Sequence, residues 1–188
     1  MSEPYKLYIQ QIAYDGASYS YGTAIDPLAK YHIACAECPF VLFPESKELP
    51  SRDWADEDGL DEYIPQQLML KDYDMTVKFL YMRTRGGQVT DETIRADIKN
   101  FLSFLYGRTG SGETGDAVRS ARLAIWSEDT GIGRKDVRVK KVGSNTYYHT
   151  RYDDDVVLEF EVTFQVNDPI TDVALSYNSG KFIGLRWN

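Results

Sequence analysis

Between residues 156 and 167 every second side chain is apolar, and the run stops at Asp168-Pro169. One face carries Val156, Leu158, Phe160, Val162, Phe164 and Val166; the other carries Val157, Glu159, Glu161, Thr163, Gln165 and Asn167. A period of two is the signature of a half-buried β-strand. At ~3.3 Å per residue the strand reaches ~35 Å, about twice the usual length. It is therefore expected to overhang a single small sheet. An uncovered overhang recruits other chains by main-chain hydrogen bonding, so the length alone predicts a subunit contact.

The rest of the chain reads as shorter elements around this strand. Residues 5–12 form a strand, and residues 31–43 hold one or two more after a turn at Asp26-Pro27. Residues 44–65 turn polar and acidic, with Asp53, Asp56, Glu57, Asp58, Asp61 and Glu62 around Trp54, Gly59 and Tyr63, which predicts a solvated loop or arm. Alternation returns over 67–83 and ends at Gly86-Gly87. One helix is expected over about 91–106, capped by Thr90, with Asp91 and Glu92 in its first turn. Its apolar stripe is Ile94, Ile98, Phe101, Leu102 and Leu105, and Gly107 ends it. A flexible Gly-rich loop over about 107–117 follows, then a β-hairpin from 120–127 and 134–142, and two weaker strands after the long one. The fold class is α+β, mainly β: an antiparallel β-sandwich or small barrel with one flanking α-helix, in a single domain over 1–188.

A formal charge of −8 and a pI near 4.8 oppose any task of gripping nucleic acid, whose affinity comes from Lys and Arg neutralising phosphates. The first residues lack the basic and apolar regions of a signal peptide, and no apolar run approaches a bilayer's thickness, so a soluble protein made in the cytoplasm is expected.

No motif assigns a catalytic, cofactor-binding or metal site. Residues 107–114 approach a phosphate-binding loop, but Glu113 stands in place of its lysine and the loop follows a helix instead of a strand. Cys35 and Cys38 have the spacing of half a zinc site, and His32 and His149 are the only histidines to complete it; two unmetallated thiols are the expectation. Asp56 and Asp58 begin a calcium-loop pattern that breaks at Asp61 and Gln67. Glu159 and Glu161 share a strand face, as charges on most solvated strands do. His149, beside two tyrosines, reads as a surface or interface residue.

The order of strand (73–83), helix (91–106), glycine loop, strand Leu123-Ala-Ile-Trp-Ser127, basic hairpin Gly133-Arg-Lys-Asp-Val-Arg-Val139 and Phe160-Glu-Val-Thr-Phe-Gln-Val-Asn-Asp-Pro169 resembles the N-terminal domain of phage distal tail proteins and the related tail-tube fold. The resemblance covers roughly residues 70–175 and rests on element order and a loose F-x-V-x-F-x-x-x-D-P strand. It implies a non-enzymatic virion-tail or baseplate protein without cofactor. Such a protein would form a homo-oligomeric ring, most often hexameric, around the DNA channel, against neighbouring tube, tape-measure, hub or receptor-binding proteins. It implies neither sequence-specific nucleic-acid binding nor a membrane. Two features depart from the pattern: the stretch after Asp172 is short of the carbohydrate-binding-like domain of many distal tail proteins, and the acidic insertion at 44–65 has no counterpart. A tail-tube or tail-terminator subunit is the alternative within the class. A β-sandwich glycan-binding module using Trp54, Tyr63, Tyr147 and Tyr148 is the alternative outside it. An acidic lumen would let DNA slide past, although the basic stripe Arg134, Lys135, Arg138, Lys140 and Lys141 could line it instead.

Overall fold

A computed structural model describes residues 6–56, 58–82, 90–110, 118–143, 150–152, 155–178 and 181–187. The strands are β1 (Leu7–Tyr14), β2 (Tyr19–Tyr21), β3 (Ile33–Glu37), β4 (Ser51–Arg52), β5 (Asp61–Glu62), β6 (Tyr73–Met82), β7 (Leu123–Ser127), β8 (Gly133–Gly143), β9 (Thr150–Tyr152), β10 (Asp155–Val166), β11 (Val173–Asn178) and β12 (Lys181–Trp187). The helices are α1 (Pro27–Tyr31) and α2 (Asp91–Leu105). The main sheet is antiparallel in the order β2-β1-β7-β8-β10-β6-β3, with β9 also on β10. The mainly β, antiparallel architecture and the flanking helix thus stand as the sequence implies.

Alternation decides which way the sheet faces. Met75, Val77, Phe79 and Tyr81 of β6 are buried beside Leu158, Phe160, Val162, Phe164 and Val166 of β10. Helix α2 covers this face with Ile94, Phe101, Phe104 and Leu105. Phe101 meets Phe79 edge-on at 5.2 Å between centroids and Phe160 at 6.4 Å, a geometry worth ~0.5–1.5 kcal/mol per pair beyond area burial. Phe104, absent from the expected stripe, widens the buried arc. Thr90 accepts a hydrogen bond from the Thr93 amide at 3.3 Å, as a cap should.

A second helix stands where the sequence suggested a turn. Asp26 caps it, accepting from the Leu28 amide at 2.8 Å, and Pro27 takes the first helical position, so the dipeptide starts a helix instead of merely reversing the chain. Tyr31 packs on Phe101 and Phe104. Because Ile25, just before α1, pairs with Ile9 of β1 while β3 follows α1 directly, this short helix bridges two distant parts of the sheet. The sheet carries its main core under α2 and a smaller one of Ile12, Ala124 and Val173.

The long strand is shorter of exposed edge than its length implied. On one flank β6 pairs with it from Val157 to Val166; on the other β8 covers Glu161 to Val166 and β9 covers Asp155 to Val157. The same chain supplies neighbours on both flanks over most of the strand, so the overhang is largely taken up internally. Residue Val157 pairs through its backbone with Met82 and Thr150. Only β3 forms from the expected strands in 31–43. The hairpin β11–β12 lies on the outer face, where Val173 packs with Ile12 and Ala124 beside Tyr8 and Trp126.

Candidate assembly surface

The acidic arm is a pinned loop. At its base the Lys47 backbone amide donates to the Met69 carbonyl at 2.7 Å and the Lys71 backbone amide to the Glu45 carbonyl at 2.8 Å, and farther out β4 pairs with β5. Asp53, Asp56, Asp58, Asp61 and Glu62 are all exposed, as expected for a solvated face. The apolar side chains between them are exposed too. Among the described residues, nine of the fourteen exposed large hydrophobics lie between residues 41 and 69: Val41, Leu42, Phe43, Trp54, Leu60, Tyr63, Ile64, Leu68 and Met69. Phe43 is 85% exposed, so its ring gains nothing from folding. A groove of about 750 Å³ runs beside it, walled by Leu42, Phe43, Leu68, Leu70, Ile132 and Ile170. Single exposed apolar residues are ordinary, but Leu42, Phe43 and Leu68 share one groove, which makes it a candidate interaction surface.

Arg134 anchors the groove. Its side chain is 3% exposed and donates to the Gly133 carbonyl at 3.0 Å, to the Val41 carbonyl at 3.3 Å and to the Asp172 carboxylate. One cation thereby ties the start of the arm to β8 and to the turn before β11. Burial pushes the nearby Tyr73 phenol above its usual range, and the Arg134 charge opposes that shift.

This geometry dissolves the basic stripe. Arg134 is buried and cannot line a channel; Lys135 pairs with Asp168 at 3.4 Å, Arg138 hydrogen-bonds Gln165, and Lys140 pairs with Asp74 at 2.6 Å. Three of the stripe's five charges sit against a carboxylate, while Arg138, Lys140 and Lys141 stay exposed.

No protein-family model matches this chain, and no curated protein matches it. Solved structures are similar to it. One of them is the Dit (gp 19.1) protein of SPP1, described as a paradigm of the hub adsorption apparatus in phages that infect Gram-positive bacteria; the two are 17% identical, with a TM-score of 0.48, over 88% of this chain. The chain spans about half (52%) of that protein's length.

The remaining sequence candidates separate in space. Cys35 is buried on β3 and Cys38 is half-buried just beyond it; both are free thiols. A hydrogen bond with Cys35, then burial, pushes the Cys38 thiol far above its usual range, the opposite of an activated nucleophile. His32 ends α1 in the left-handed conformation, φ 58°, and among the described residues no group of three or more His, Cys, Asp or Glu is placed to hold a metal. Opposite Glu161 on the outer face stands Lys78, whose ammonium is held above its usual range by its hydrogen bond to Glu37, with Glu159 and Glu161 adding to the effect. Those strand carboxylates therefore belong to a charge network around one lysine. Glu113, Tyr147, Tyr148 and His149 lie outside the described residues. Among the described residues no helix is long and apolar enough to cross a membrane.

The buried anchoring role of Arg134, and Gln11 altogether, were missed in the sequence. Gln11 is fully buried, and its side-chain amide donates to the Phe104 carbonyl at 2.6 Å and the Thr109 carbonyl at 2.8 Å, capping the end of α2 from β1. A polar residue at an inward position of β1's alternation was the available signal.

Proposed function

We propose that this chain is a structural component of a phage or prophage tail, a distal tail or baseplate-hub protein that closes into a ring around the DNA channel. The observation that carries the assembly role is the exposed apolar arm with its groove. The tail assignment is supported by the element order and the strand motif at Phe160 to Pro169. A ring needs two different complementary patches on each subunit, and the exposed apolar surface over 41–69 supplies one of them. The acidic net charge suits a conduit, because a negative wall repels phosphate. The ring is hexameric in this reading, the chain forms one domain over 1–188, and its other partners are the adjoining tail proteins.

Light scattering with negative-stain imaging tests this. A mass well above the 21.5 kDa monomer and single rings on the grid are expected; stacked tubes would make the chain a tube subunit instead. The pair Phe43→Asp and Leu68→Asp should return the protein to a monomer with an unchanged melting temperature. A wild-type protein that stays monomeric from micromolar to millimolar concentration, with no ring on the grid, overturns the reading.

A further inference from the structure

Away from the arm, the outer face of the β1–β2 hairpin holds a second cluster of exposed aromatics. Tyr14, Tyr19 and Tyr21 are 52%, 52% and 43% exposed. Tyr19 lies opposite Tyr14 in register with ring centroids 4.7 Å apart, and Tyr19 and Tyr21, two residues apart on the outermost strand, stack at 6.3 Å with 24° between their planes. Beside them opens a cavity of about 330 Å³, floored by Ile12 and rimmed by Tyr19, Tyr21, Arg122, Lys135, Asp136 and Asp168.

The charged rim is built by a distortion of the sheet. In the β7–β8 pairing Leu123 faces Val137 while Ile125 faces Arg134, so Lys135 and Asp136 stand opposite the single residue Ala124. Such a bulge re-aims side chains out of the alternating pattern. Asp136 has φ 55°, a left-handed backbone that costs a non-glycine residue free energy, and its carbonyl is held by the Asn167 amide at 3.1 Å. The four charges form two ion pairs: Arg122 Nε to Asp136 Oδ1 at 2.8 Å, and Lys135 Nζ to Asp168 Oδ2 at 3.4 Å. Asp168 Oδ1 is already taken by the Ile170 and Thr171 amides at 3.2 and 3.0 Å.

We propose that this cavity is a saccharide site for a neutral pyranose oligosaccharide. The balanced pairs give neither an anion nor a cation an advantage, which points to an uncharged, polyhydroxylic ligand. A pyranose has an apolar C–H face to lay on a tyrosine ring and vicinal hydroxyls that both donate and accept. Carboxylates held by one cation apiece keep lone pairs for hydroxyl donors, and an arginine engaged through Nε offers its terminal nitrogens to hydroxyl oxygens. Packing of the hairpin accounts for the tyrosine pair and for the cover over Ile12. It requires neither the cavity nor a strained bulge that places two ion pairs on its rim.

The site is independent of ring formation, so light scattering on the same samples separates failure of one idea from failure of the other. The full chain is titrated with chitotriose, maltotriose and lactose and followed by saturation-transfer NMR and microcalorimetry. At least one probe should bind saturably, with transfer to its ring protons. The double variant Tyr19→Ala/Tyr21→Ala should weaken that binding roughly tenfold or more, the scale of one lost aromatic contact, while Tyr21→Phe stays within about twofold. Asp136→Asn, which tolerates the left-handed backbone, should also weaken it roughly tenfold, and it serves if the double variant does not fold. Absence of saturable binding by all three sugars overturns the proposal, as does binding that survives both the tyrosine and the Asp136 substitutions.

Discussion

Replacing Gly107 and Gly131 in turn by alanine separates backbone strain from close packing, because the two glycines share a conformation and differ in space. Their φ angles are +69° and +67°. A Cβ on Gly131 would meet nothing within 4 Å, whereas one on Gly107 would lie 2.5 Å from the Ser120 carbonyl carbon and 2.6 Å from the Ala121 nitrogen. Both alanines carry the left-handed penalty of ~1–2 kcal/mol, offset by ~0.4–1 kcal/mol of reduced unfolded-state entropy. Gly131→Ala should therefore cost about 1 kcal/mol. Gly107→Ala adds an overlap with backbone that cannot rotate away, typically a further ~1–3 kcal/mol, for a total of about 2–4 kcal/mol.

The consequence is specific to α2. The Gly107 amide donates to the Phe104 carbonyl at 3.0 Å, the same oxygen that Gln11 caps from β1. Pushing residue 107 away from Ser120 pulls on that shared acceptor and on the docking of the helix. Urea unfolding followed by circular dichroism reads the difference at constant m-value. In a thermal scan Gly131→Ala should lower the melting temperature by about 2–4 °C and Gly107→Ala by roughly two to four times as much. Equal destabilisation by the two alanines would show that the close approach to Ser120 carries no energetic weight and would refute the reasoning.

Two further outcomes follow from the charged groups. Asp172→Ala should destabilise more than Arg134→Met: the first strands a buried guanidinium, at a cost of about 3 kcal/mol, while the second leaves Asp172, 64% exposed, to water and forfeits about 1–2 kcal/mol of hydrogen bonding to the Val41 and Gly133 carbonyls. The reverse order in urea unfolding would mean that water reaches Arg134. Burial raises the Asp168 pKa, but hydrogen bonds from Thr171 and Ile170 and the Lys135 charge outweigh it and hold the carboxyl below the usual 3.8. A depressed folded pKa contributes stability above the unfolded value that is lost as pH falls through the folded one, so Asp168→Asn should flatten the acid side of the stability curve below 3.8; an unchanged acid limb counts against it.

How much of this could be read from the chain depended on whether the determinant was local. The alternation of β10 and β6 and the stripe and N-cap of α2 are local; β10 and α2 stand within a residue of where the pattern put them, while β6 begins at Tyr73, six residues inside the alternating run. The Asp26-Pro27 dipeptide was local as well, but it is equally a turn and a helix start, and only Tyr31 packing on Phe101 and Phe104 decides between them. Arg134 looked like one more cation in a basic hairpin because its partner Asp172 lies 38 residues away and Val41 lies 93 away. The long strand misled for the same reason. Its excess length was legible, but the return of residues 150–152 to pair beside residues 155–157 was not. That return changes where assembly has to be sought. A strand flanked on both sides by its own chain offers few main-chain groups to a neighbour, so in the proposed ring a contact would use side chains or the terminal strands β2 and β3. Among the described residues, exposed large apolar side chains gather most densely over 41–69, on the arm that the sequence marked by its acidity and on its two flanks. In the proposed ring, a contact built on Phe43 and Leu68 would gain its free energy by displacing the water that covers these exposed side chains, and it would fail where no apolar partner surface meets them.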